Sequence, residues 1–130
     1  MKQIKLTNSK ILSSVNLISA VTQKQLPVRS AYAIAKNIKV INDEIKNYQE
    51  MRTKIIDENS KKDDTGKPVK DKTGNPIIDD ENKDKFQKEM QELLDIEVEL
   101  NIMQFKLDNL GAVNFSVSEL ESIDFMLEDF

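Results

Sequence analysis

Apolar and polar positions repeat with two different periods along this chain, and the places where the period changes mark its elements. Ile4 and Leu6 flank Lys5, which predicts a short strand with one apolar face. Ile11, Val15, Ile18 and Val21 follow at helical spacing, with Asn8 or Ser9 available as the cap, and predict a first helix over Ser9 to Gln23. Leu26-Pro27 ends it, because proline restricts the residue before it and suits the first turn of a new helix. Ala31, Ile34, Ile38, Ile41, Ile45, Tyr48, Arg52 and Ile55 then fall at alternating three- and four-residue steps, the seam of a coiled coil or antiparallel helix pair. This second helix should run from Pro27 to Asn59 and measure about 48 Å, so part of it must project or be covered. Helices one and three are the expected cover, and self-association through the long helix is the alternative.

Between Asp57 and Lys85 the chain becomes charged and turn-rich. Thr65-Gly66-Lys67-Pro68-Val69 is echoed by Thr73-Gly74-Asn75-Pro76-Ile77, two Gly-centred turns each leading into an extended residue. Residues 60–80 therefore form either a small hairpin arm or a linker. Phe86, Met90, Leu93 and Leu94 restore the helical period as a third helix, after which Ile96, Val98, Leu100 and Ile102 alternate with polar neighbours as a strand reaching Phe105. Asp108 to Asn114 reads as a loop around Gly111. Ser116 and Glu119 form a capping box, flanked by Phe115 and Leu120 as a hydrophobic staple, and predict a last helix over Val117 to Glu128. The expected fold is α+β: a long central helix, shorter packed helices, and a small antiparallel sheet or hairpin arm.

Composition narrows the chemistry. The 130 residues suit a single domain, 1–130, and include no His or Cys, which removes thiolate, disulfide and imidazole chemistry together with the usual ligands of zinc, copper and iron. The residues around Gly66 and Gly74 lack the ligand spacing of a calcium loop, and Gly66-Lys67 lacks the other residues of a phosphate loop. Glu97 and Glu99 could pair as acid and base in a metal-assisted hydrolase, but neighbours on one strand face are usually its wet side. Ser30 and Lys36 are too generic to nominate as nucleophile and base. The expectation is a non-enzymatic protein without cofactor or metal. Ser13, Ser14, Asn16 and Ser19 break the apolar stretch that a secretory leader would need, and no run approaches the ~20 apolar residues of a membrane span. A cytoplasmic location is expected.

Charge is distributed unevenly. Residues 1–42 carry Lys and Arg without a single acid, and residues 107–130 carry acids without a base. Lys24, Arg29, Lys36 and Lys39 could form a nucleic-acid surface, yet the chain is acidic overall at −4 and these cations lack an aromatic stacking set. They are expected to be solvated or to face the acidic C-terminal helix of the same or a neighbouring chain. Phe125, Met126, Leu127 and Phe130 place apolar surface on both sides of that acidic helix; one face should complete the core, leaving Phe125 and Phe130 for a partner. With Tyr48, Arg52 and Ile55 on the distal part of the long helix, they are the candidate partner-binding residues.

Leu26-Pro27-Val28, the run Ala31 to Asn37, then Glu44, Tyr48 and Arg52, together with Gly66-Lys67-Pro68-Val69, Ile96 to Leu100, Phe115 to Leu120 and Asp124-Phe125-Met126, resemble in their order a family of small uncharacterised phage and prophage proteins from low-GC Gram-positive bacteria. The resemblance spans most of the chain, implies a phage setting and supplies no catalytic residues; the copy at Thr73 to Pro76 extends beyond its pattern. In that setting the expected function is that of a non-enzymatic phage accessory protein that binds a host or phage protein, either as an inhibitor of a bacterial defence protein or as an assembly adaptor. A nucleic-acid-binding accessory protein using the basic N-terminal third is the alternative.

Overall fold

The computed structural model describes residues 1–128. The alternation at the start of the chain becomes strand β1, Lys2–Thr7, which pairs antiparallel with β2, Glu97–Ile102. The register sets Ile4 opposite Leu100 and Leu6 opposite Val98 on the face turned to the core. On the other face Lys5 stands opposite Glu99, with Nζ 3.9 Å from Oε1, so Glu97 and Glu99 occupy the solvated side of the sheet. Thr7, the last strand residue, also caps helix α1, Asn8–Thr22: its hydroxyl accepts from the Lys10 amide at 3.1 Å. The expected caps Asn8 and Ser9 are already helical, because the chain passes from strand to helix without a loop.

The long helix α2 runs Val28–Asn59 and is followed by α3, Lys83–Asp95. By compactness the chain divides into two units, one made of Met1–Ile45 with the described part of Glu97–Phe130, the other of Lys46–Ile96. The sequence had suggested one domain carrying an arm at 60–80. The second unit is wider than that arm and contains the distal half of α2, the arm and α3.

In the first unit Ile11, Ile18 and Val21 of α1, Ala33, Ile34 and Ile41 of α2, and Leu100 and Ile102 of β2 bury together with Phe105, Leu110, Ile123, Met126 and Leu127. The buried line on α2 departs from the predicted seam. Ala31 is exposed, and fully buried Ser30 and Asn37 take positions among the apolar residues. Ser30 Oγ donates to the Asn109 carbonyl at 2.6 Å, while the Asn37 amide exchanges two hydrogen bonds with the Met103 backbone. A polar side chain is tolerated in a core when its hydrogen-bonding groups are all answered.

The last helix is shorter than predicted. The capping box forms, with the Glu119 amide donating to Ser116 Oγ at 3.1 Å and the Ser116 amide donating to Glu119 Oε1 at 2.9 Å. Helix α4 nevertheless spans only Val117–Ser122, and a single 3-10 turn covers Asp124–Met126. The backbone then turns extended to pair with Phe105, whose amide donates to the Met126 carbonyl at 3.0 Å and whose carbonyl accepts from the Glu128 amide at 2.9 Å. That pairing takes Met126 and Leu127 into the core, which a helix continued to Glu128 would not do. Phe130 lies outside the described residues. No helix among the described residues is long and apolar enough to cross a membrane.

Candidate partner-binding site

The second unit is organised around an arm with more internal order than a simple hairpin. Lys61, Val69 and Ile77 stand eight residues apart and form a closed ring of backbone hydrogen bonds: Lys61 N–H to Ile77 at 2.8 Å, Ile77 N–H to Val69 at 2.9 Å, and Val69 N–H to Lys61 at 2.7 Å. The bridges Lys62 to Pro68, Lys70 to Pro76 and Ile78 to Ser60 follow the same eight-residue cycle. The two copies visible in the sequence thus end at Val69 and Ile77, two members of a threefold arrangement whose third is Lys61, and the chain leaving Ile77 closes against the end of α2 through the Asp79 amide and the Asn59 carbonyl at 2.9 Å.

Asp63 and Asp71 hold the two turns. Each Oδ1 accepts from the hydroxyl and amide of the Thr two residues on and from the amide four residues on, at 2.6 to 3.1 Å. These donors stabilise the carboxylate form and hold both groups below their ordinary value of 3.8, Thr65 contributing most at Asp63 and Thr73 at Asp71. Gly66 and Gly74 sit at φ of 82° and 85°, the left-handed conformation that closes each turn.

Beside the arm, α3 runs antiparallel to the distal part of α2. Asn59 Nδ2 donates to Glu89 Oε1 at 3.0 Å, and one turn back along α2, Ile55 shares a groove with Leu93, one turn further along α3. The groove encloses about 240 Å³. Its α2 wall is Met51, Lys54, Ile55 and Glu58, and its α3 wall is Glu89, Glu92, Leu93 and Ile96. Both sets follow the spacing i, i+3, i+4, i+7, the contact stripe of a helix. Ile55 and Leu93 form a buried floor at 7% and 5% exposure, whereas Met51 and Ile96 stand open at 46% and 48%. Among the described residues the side-chain carboxylates of Glu58 and Glu92 have no ion-pair or hydrogen-bond partner.

The predicted partner-binding residues are dispersed by this geometry. Ile55 is floor rather than rim, because it faces Leu93 across the helix pair. Tyr48 is half-buried, and Arg52 is exposed at the edge of a second hollow of about 510 Å³ that also includes Ile56, Pro76, Ile78 and Phe86. Phe125 belongs to the first unit, half-buried against its core. Met51 and Ile96 were missed. Met51 falls outside the strongest apolar periodicity of α2, and the alternation makes Ile96 the first residue of the following strand, whereas it caps α3 with φ −62° and ψ 126°.

The basic third is partly engaged within the first unit. Lys24 Nζ lies 3.1 Å from Glu119 Oε2, donates to the Asn114 carbonyl at 2.8 Å and sits 5.1 Å from the Phe115 ring centroid. Glu119 is held below its ordinary value of 4.5, chiefly by the Ser116 amide and next by Lys24. Lys10 likewise bridges to the Glu121 carbonyl and to Asp124. Lys24 is therefore a fastening between α4 and the start of the chain, which leaves Arg29, Lys36 and Lys39 of the predicted nucleic-acid set exposed, Lys36 lying 5.6 Å from the Tyr32 ring. Among the described residues no group of three or more acidic side chains is placed to hold a metal ion. No protein-family model, curated protein or solved structure matches the chain.

Proposed function

We propose that this chain is a non-enzymatic accessory protein of a phage or prophage that acts by binding another protein. The observation that supports the reading best is the groove of the second unit, where two helix stripes present Met51 and Ile96 half-open above a buried Ile55 and Leu93 floor. Apolar residues arranged on paired helices and rimmed by charge form the usual seat for a partner element. The phage setting rests on the sequence resemblance, and within it the partner is a host or phage protein, met either to occlude a defence protein or to join an assembly. A cytoplasmic site of action belongs to the same reading.

Affinity capture with the tagged chain from host lysate, with and without phage infection, tests it when run with nuclease at low and moderate salt. The reading expects one protein recovered in stoichiometric amount and unaffected by nuclease. Recovery of nucleic acid alone, lost as salt rises, would transfer the function to Arg29, Lys36 and Lys39 and end the proposal.

A further inference from the structure

Taking the protein-binding reading as its basis, we infer that the α2/α3 groove receives a basic amphipathic helix from a different protein. Shape argues for a helix. Both walls are helical stripes, so the surface between them has the ridges and spacing that a third helix fills with residues at i, i+3, i+4 and i+7. Met51 and Ile96 would close over its apolar side, with Ile55 and Leu93 beneath.

Charge sets the sign of the partner. Glu58, Glu89 and Glu92 ring the groove against a single cation, Lys54. Glu89 already accepts from Asn59, whereas Glu58 and Glu92 are unanswered among the described residues. Lys or Arg flanking the apolar stripe of an incoming helix would pair with both. The same argument disfavours a second copy docked groove to groove, since it would set these acids against one another.

The test uses the full chain and two synthetic helical peptides of about 18 residues, long enough for five turns. Both carry Leu at i, i+3, i+4 and i+7; one has Lys and the other Glu at the polar positions. Fluorescence anisotropy should show the Lys peptide binding one to one, at least about tenfold tighter than the Glu peptide, and weakening as salt rises. Met51→Ser with Ile96→Ser should weaken it by about tenfold or more, and so should Glu58→Lys with Glu92→Lys. All four positions except the helix-ending Ile96 lie exposed on helix surfaces, so the charge-reversal pair keeps the test decisive if the apolar pair alters the circular-dichroism spectrum.

Equal affinity for the two peptides, or affinity unchanged by either pair of substitutions, overturns the inference. A dimer in sedimentation that Met51→Ser dissociates also overturns it, by giving the groove to a second copy. If the Lys peptide fails while a captured protein is still lost on Met51→Ser with Ile96→Ser, the basic helix is wrong and the protein-binding function stands. Absence of any captured protein removes the function itself.

Discussion

The side chain of Asn37 is hydrogen-bonded in both directions to the backbone of Met103: Nδ2 donates to the Met103 carbonyl at 3.0 Å, and Oδ1 accepts from the Met103 amide at 2.8 Å. Asn37 is wholly buried on α2, and Met103 follows the last residue of β2. An amide side chain carries one donor and one acceptor group in the same plane, so it continues the ladder where the strand has run out of backbone partners. Asn37→Leu keeps the branched outline of the side chain, with bulkier apolar ends, and leaves both Met103 groups unpaired in a half-buried place. We expect urea denaturation to show a loss of about 2–3 kcal/mol, with the midpoint shifted at an unchanged slope. A loss no larger than that of an ordinary surface substitution would show that water replaces the amide.

Gly111 follows the 3-10 turn Leu107–Leu110 at φ 70° and ψ −151°, a region open in practice to glycine alone. A Cβ there would also stand 3.2 Å from Pro27 Cγ. Gly111→Ala should therefore cost about 1–3 kcal/mol, read from the same denaturation curve. A neutral result would mean that the turn relaxes into another conformation and that the contact with Pro27 is dispensable.

The arm should be sensitive to acid, with a definite sign. Asp63 and Asp71 are held below 3.8 in the folded arm by their Thr and backbone donors. A depressed folded value contributes stability that is present above the unfolded value and lost as pH falls through the folded one. Carboxyl carbon NMR titration should place both midpoints below 3.8, and the Lys67 and Asn75 amides, which donate to these carboxylates, should lose protection against exchange, measured relative to the intrinsic rate at each pH, as pH drops through them. Neutral Thr65→Ala and Thr73→Ala should raise the respective midpoints. Midpoints at or above 3.8 in the unaltered chain would contradict the turn geometry.

Much of this fold is legible in the pattern of residues, and the exceptions share a cause. Alternation locates β1 and β2, the three- and four-residue steps locate α2 from Val28 to Asn59 after Pro27, and Ser116 with Glu119 announces α4, because each signal is local. Ser30 and Asn37 could not be recognised as core residues, since their burial depends on the backbones of Asn109 and Met103, more than sixty residues away. The end of α4 was overestimated for the same reason: pairing with Phe105 draws the chain out of the helix. In the arm, Thr-Gly marks two turns, but the third member of the ring, Lys61, has no Thr-Gly before it and is visible only once it pairs with Val69 and Ile77. The candidate site suffered most. Ile55 was noticed for its period and proves to be the floor, while the open residues Met51 and Ile96 lie at positions whose exposure is decided by how α3 returns beside α2.

If the proposed groove between α2 and α3 is where this protein meets its partner, capture of that partner by the unaltered chain and by the Met51→Ser, Ile96→Ser chain side by side will separate the two. Both substitutions remove apolar surface that stands about half exposed, so the fold should persist and its circular-dichroism spectrum should match. The partner protein, recovered in stoichiometric amount by the unaltered chain, should fall by about tenfold or more with the variant. Equal recovery by both chains, with the spectrum unchanged, would contradict it.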